Sequence, residues 1–157
     1  MTTQNTETTR AALVAVMRAV PEIGVVHPYE RYVKDTAGMR RLYTVQLSGG
    51  DQLRGWFVRR LAARITRNGA GRALVQTSWH IRGFMALADA DESEIVFDGL
   101  IDAVRRAIYA DPTLDGAVMS TLFEKEAGAQ LQASGPVMFA GVLCHSADLV
   151  LTTETLE

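Results

Sequence analysis

A single cysteine, Cys144, stands in a chain of 157 residues. That excludes an intrachain disulfide and any multi-thiolate metal site, and it fits a reducing compartment. The three histidines, His27, His80 and His145, fall without the spacing of a metal-ligand set. Apolar runs stay far short of a membrane-spanning helix, and the start lacks the basic-then-apolar pattern of a secretory signal. A soluble, cytoplasmic protein is therefore expected. Gly69-x-Gly71 has neither the third glycine of a dinucleotide loop nor the Lys-Ser/Thr of a phosphate loop, and no G-x-S-x-G occurs. Asp89-x-Asp91-x-Ser93 begins like a calcium loop. It then places Glu94 where glycine is needed and Leu100 where a bidentate glutamate belongs, so helix capping explains these acids better. Cys144 and His145 are neighbours in an expected strand, where adjacent side chains point to opposite faces and cannot act as nucleophile and base. His145 is read as structural. These absences predict a protein that is not an enzyme and uses neither a cofactor nor a metal.

What is present is average in amount and uneven in distribution. The hydrophobic fraction is 48% and the charged fraction 22%, enough for one globular domain over residues 1–157 with a flexible start over 1–5. Net charge is −2. Residues 31–82 carry eleven Arg or Lys and two acids, a balance of +9, whereas residues 83–157 carry three basic residues and thirteen acids, a balance of −10. Such segregation predicts a basic and an acidic surface, unless folding mixes the two halves again.

Leu13, Val16, Met17 and Val20 recur at helical spacing and predict a helix over Thr6–Ala19, capped by Asn5 or Thr6 and stopped by Pro21. Val25–Tyr32 reads as extended but limited by Pro28, and Arg40–Leu47 alternates like a strand that ends in the Ser48–Asp51 turn. Leu53–Ile65 fits both a helical and a strand spacing. The Asn68–Gly71 turn signal and the strong alternation of Val75, Thr77, Trp79, Ile81, Met85 and Leu87 favour a long hairpin. In the strand reading, Arg54, Trp56, Val58, Arg60 and Arg64 share one face. A second helix is expected to about Tyr109, with Phe97, Leu100, Ile101, Val104 and Ile108 buried and Asp91 and Glu94 forming a capping box. Thr113–Lys125 reads as a loop with a short helical or strand piece. Two strands should follow, over Ala129–Ala133 and Val137–Leu151, around a Ser134-Gly135-Pro136 turn. The order predicts an α+β fold, a mostly antiparallel sheet with two main helices packed on one face.

The arginines are the remaining signal. Arg54, Arg59, Arg60, Arg64 and Arg82 fall on the hairpin and the next strand, near Trp56 and Trp79. Asp89, Asp91 and Glu92 open the acidic half. The basic surface can meet phosphates or the acids of another subunit, or it can be a solvated sheet face.

Three stretches go further. Arg54-Gly55-Trp56-Phe57-Val58-Arg59-Arg60, the run Trp79 to Leu87 that leads into the Ser93–Ile108 helix, and the closing Phe139–His145 strand resemble the small tail-terminator or tail-completion proteins of tailed bacteriophages, of the minor-tail-protein class. The resemblance implies an α+β subunit that assembles into a ring, often of six copies, capping the tail tube and docking to the head connector. It implies as partners further copies of itself, the tail tube protein and the connector, with transient passage of DNA through the ring. It places the protein in the host cytoplasm during assembly and then in the virion tail, and it carries no catalytic residue, cofactor or metal. The eight charged residues named above are the expected subunit or partner interface. Other readings stay open, a neck or tail-adaptor protein at the same junction and a nucleic-acid-binding module using the Arg/Trp surface, with an enzyme of scattered catalytic residues third.

Overall fold

The computed structural model describes residues 4–69 and 71–157. Of the flexible start expected over residues 1–5, residues 1–3 lie outside that range, as does Ala70 of the expected Asn68–Gly71 turn. Helix α1 (Thr6–Arg18) begins at Asn5, whose side chain accepts from the Thr8 amide at 2.8 Å while Thr8 Oγ1 accepts from the Asn5 amide at 3.0 Å. The two bonds form a reciprocal capping box. Strand β1 (Val25–His27) then runs parallel to β3.

The residues after it correct the expected strand at Arg40. Thr36–Leu42 forms a short helix, α2, because Asp35 caps it by accepting from the Gly38 amide at 2.6 Å. Only Thr44–Leu47 is strand, β2, and it pairs antiparallel with the start of β3 across the Ser48-Gly49 turn. Strands β3 (Gly50–Arg67) and β4 (Ala73–Ala86) make the expected long hairpin.

A single 3-10 turn (Asp89–Asp91) precedes α3 (Ser93–Tyr109). The expected capping box does not form here. Glu92 occupies the cap with φ 54° and no side-chain bond, and Asp91 lies one residue too early. Instead, Ser93 Oγ accepts from the Ala88 amide at 2.9 Å and ties the turn to the helix. A small hairpin, β5 (Leu122–Phe123) with β6 (Glu126–Ala127), falls within the expected loop region. Strands β7 (Gln130–Phe139) and β8 (Val142–Leu156) close the chain. Their turn is Ala140-Gly141, both at positive φ, and not Ser134-Gly135-Pro136. Pro136 lies inside β7, which is tolerable because β7 is an edge strand and one of its sides needs no amide.

The sheet order is β1-β3-β4-β8-β7, with β2 beside β3, and only the β1–β3 pair is parallel. The fold is α+β, with α1 and α3 on one face. Leu13, Met17, Phe97, Ile101, Val104 and Ile108 from these helices pack on Trp56, Val58, Trp79, Ile81, Leu149 and Leu151 of the sheet. The opposite face has a smaller core, where Tyr43, Leu53, Phe57, Phe84 and Cys144 pack with Met39 and Leu42 of the α2 segment. Burial pushes the Cys144 thiol up to about 11 and Tyr43 up to about 12, a hydrogen bond to the Arg31 backbone opposing the latter.

A bulge between Arg60 and Ala62 shifts the β3 register by one residue. Beyond it, Ala63 and Ile65 move to the helix-side face, where alternation alone would place Arg64.

His27 closes the second core at its rim, donating from Nε2 to the Leu42 carbonyl at 2.6 Å. Burial holds its pKa below the usual 6.5, assisted by Arg31 and Arg18 and opposed by the Leu42 bond. The unfolded chain therefore binds a proton that the folded chain refuses, in a window whose upper edge is 6.5. This contribution to stability is complete above that edge and is lost as pH falls toward the folded value. Urea midpoints measured on both sides of the window should drop on acidification, and His27→Gln should flatten that dependence.

Candidate functional site

The structure distributes the expected interface residues over separate places. Arg54 leaves the surface altogether. It is 7% exposed on the helix-side face, donates from Nη1 to the Glu22 carbonyl at 3.0 Å and leaves Nε without a partner among the described residues. Desolvation lowers its pKa, as expected for a buried cation. The reason is that the first half of β3 is covered on both faces, so Leu53 to Val58 are all buried. Trp56 and Trp79 are also fully buried and lie on the same helix-side face. They are core residues, not a surface platform.

Arg59, Arg60 and Arg64 remain accessible on β3, where its outer side extends past the last β1 pair at Phe57. The bulge and the pleat divide them. Arg60 pairs with Trp79 on the helix side, whereas Arg59 and Arg64 pair with His80 and Gln76 on the opposite face. Arg67 and Arg72 extend the basic character to the hairpin end and are exposed. Among these arginines stand two large exposed apolar residues, Leu61 at 49% and Ile65 at 65%.

Asp89, Asp91 and Glu92 are exposed at the other end of β4. With Glu94 they adjoin a second exposed apolar group, Ile95 at 66%, Met138 at 65% and Leu143 at 47%. Ile95, Pro136, Asp89, Glu92 and Glu94 line one surface pocket with His145, and the Met138–Leu143 pair continues from it along β7 and β8. His145 is held here by Ser93 Oγ at 2.7 Å and stacks on Phe97 at 5.9 Å. These contacts agree with a structural role, and Cys144 is buried in the core of the other face. The 14 residues of β4 span roughly 45 Å at about 3.3 Å per residue. Arg64 and Arg67 stand toward its hairpin end, Arg59 and Arg60 near its middle opposite His80 and Trp79, and the acids beyond its other end.

Arg82 and the missed residue His80 belong to a third place, a cleft of about 290 Å³ on the sheet face away from α1 and α3. Asp148 of β8 accepts from His80 Nε2 at 2.7 Å and from Arg82 Nη1 at 3.0 Å. The Arg82 guanidinium lies 5.0 Å from the Phe84 ring. Across the cleft, Glu30 accepts from the Tyr32 hydroxyl at 2.6 Å, which raises the Tyr32 pKa, and it faces Arg59 at 3.9 Å. The cleft draws on residues near 30, 57, 80 and 148, a separation that strand pairing alone brings together.

Among the described residues, no group of three or more His, Cys, Asp or Glu could hold a metal, and no helix is long and apolar enough to cross a membrane. The fold is α+β, with an arginine-rich region on the β3–β4 hairpin, where Glu154 and Glu157 also lie, and an acidic region at the start of α3. No protein-family model matches the chain, and no curated protein matches it.

Proposed function

We propose that this chain is a non-enzymatic assembly subunit of the tail-terminator or tail-completion type. In that role it associates with its own copies in a ring that caps a phage tail tube and docks to the head connector. One observation carries the reading. Two exposed apolar patches lie apart along β4, Leu61 and Ile65 among arginines from its middle toward the hairpin end, and Ile95, Met138 and Leu143 among acids beyond its other end. Self-complementary patches at different places on one subunit generate head-to-tail contacts, which close into rings when the rotation allows. Charge pairing at such a contact sets partner and register, and the apolar centres supply the desolvated area. The same role places the protein in the host cytoplasm during assembly and in the virion tail afterwards, with the tail tube protein and connector as partners. DNA passes through the ring without a base-specific site. A neck or tail-adaptor subunit would use the same two ends. Burial of both tryptophans removes the stacking rings on which a nucleic-acid-binding module would depend.

Association should be measurable by sedimentation across protein concentration and salt. It should weaken as ionic strength rises, because exposed charges are screened beyond about 8 Å at physiological salt. Arg60→Glu with Arg64→Glu should leave stability within about 0.5 kcal/mol of the parent and abolish association. Glu92→Arg with Glu94→Arg should do the same. Mixing the two variants should restore it, since each then offers what the other lacks. A parent that stays monomeric at high concentration and low salt, or variants that do not rescue each other, would count decisively against the assignment.

A further inference from the structure

We propose that the cleft on the second sheet face binds a single carboxylate carried on an apolar body about the size of one aromatic residue. The site shares Arg59 with the basic region of β3, and it does not depend on the assembly role.

Charge sets the anion. Arg31, Arg59 and Arg82 line the cleft, and Glu30 is its one lining carboxylate. Asp148 stands beside it and is occupied by His80 and Arg82. Three guanidiniums against two carboxylates leave one positive charge uncompensated. Arg31 is the candidate holder of that charge. It is half-buried, its guanidinium lies 5.4 Å from the Tyr29 ring, and among the described residues it has no carboxylate partner. A planar fork of donors suits a two-oxygen carboxylate. A phosphate dianion would exceed the one free charge and would stand against Glu30.

The floor sets the body. Tyr43, Phe57, Phe84 and Phe139 form an aromatic base, with Phe84 and Phe139 stacked at 3.9 Å. Such a base favours an apolar group, while the few polar atoms around it fix orientation. His80 also lines the cleft, and its buried Nδ1 has no partner among the described residues. At about 290 Å³ the space is too small for a folded segment or a nucleic-acid strand. The ligand is therefore a free apolar carboxylic acid or the C-terminal residue of a peptide, which present the same chemistry.

Amide-resolved NMR titrations with N-acetylphenylalanine, its carboxamide, the peptide Gly-Gly-Phe and inorganic phosphate test the proposal. The expected result is saturable shifts around Arg31 and Arg82 with an acid, and at least tenfold weaker binding of the carboxamide. Tighter binding of the peptide assigns a chain terminus, and equal or tighter binding of the acetylated amino acid assigns a free acid. Arg31→Gln should weaken binding at least tenfold without moving the thermal melt, and Arg59→Gln provides a second variant should the first fail to fold. No saturable shift at millimolar ligand, equal binding of the carboxamide, competition by phosphate, or an unaffected Arg31→Gln would overturn it. Sedimentation of the same samples reads self-association separately, so either reading can fail while the other stands.

Discussion

Trp79→Ala is expected to cost about 3–5 kcal/mol of folding stability, the range for a truncated buried aromatic. The ring is fully buried between the sheet and the helices, and its Nε1 donates to Thr153 Oγ1 at 3.0 Å. The Arg10 guanidinium lies 5.4 Å from the ring on its outer side. Truncation therefore removes apolar contacts, a cation–π contact and the hydrogen-bond partner of a buried threonine together. A typical domain is held by only about 5–15 kcal/mol, so the variant should be marginal in a denaturant melt. A near-parental midpoint would contradict the core assignment and return the ring to the surface role set aside above.

Gly83→Ala should be the next most damaging of the small changes. Gly83 pairs directly with Trp56, and a Cβ placed on it would stand 2.4 Å from two carbons of the Trp56 indole. That ring cannot swing away. Its Nε1 is committed to the Ile23 carbonyl at 3.0 Å and its face stacks on Phe97 at 5.7 Å. Overpacking of this kind costs about 1–3 kcal/mol, and the near-ultraviolet signal of Trp56 should shift with it. Gly99→Ala is the matched control. It lies inside α3 with open space around its would-be Cβ, so it should stabilise by about 0.5–1 kcal/mol. If both alanines behave alike, the close approach at Gly83 is not what limits that position.

The sequence was most legible where periodicity was long and uninterrupted. The stripes of α1 and α3 and the alternation of β4 all face the core as their spacing implies. Helix α2 was missed because its seven residues carry no apolar period, and the alternation of Leu42, Thr44 and Gln46 runs across its end. Asp35 was the available signal, a capping residue three positions before Gly38. The β7–β8 turn was misplaced because Gly135-Pro136 has turn chemistry, and an edge strand accepts the same residues. Arg54 was assigned to the surface because alternation implies one wet face, whereas that part of β3 has none. The bulge at Leu61 is a one-residue event without a sequence signature, yet it decides where Ala63 and Arg64 point. The cleft was hidden because Arg31, His80 and Asp148 meet only through chain reversal and strand pairing.

An open sheet with free edges is a standing hazard for any protein at high concentration. Unpaired amides and carbonyls on one copy are a template for the next, and the end state is fibrillar precipitate. Here both edges are spoiled. The outer side of β3 is bent by the bulge and guarded by arginines that repel a second edge of the same kind. Strand β7 lacks an amide at Pro136 and has its own irregularity between Leu131 and Ala133. Backbone-to-backbone stacking is disfavoured along these stretches of β3 and β7, while side chains beyond them stay free to choose a partner. Edge-to-edge stacking is thereby disfavoured without preventing the end-to-end association proposed above.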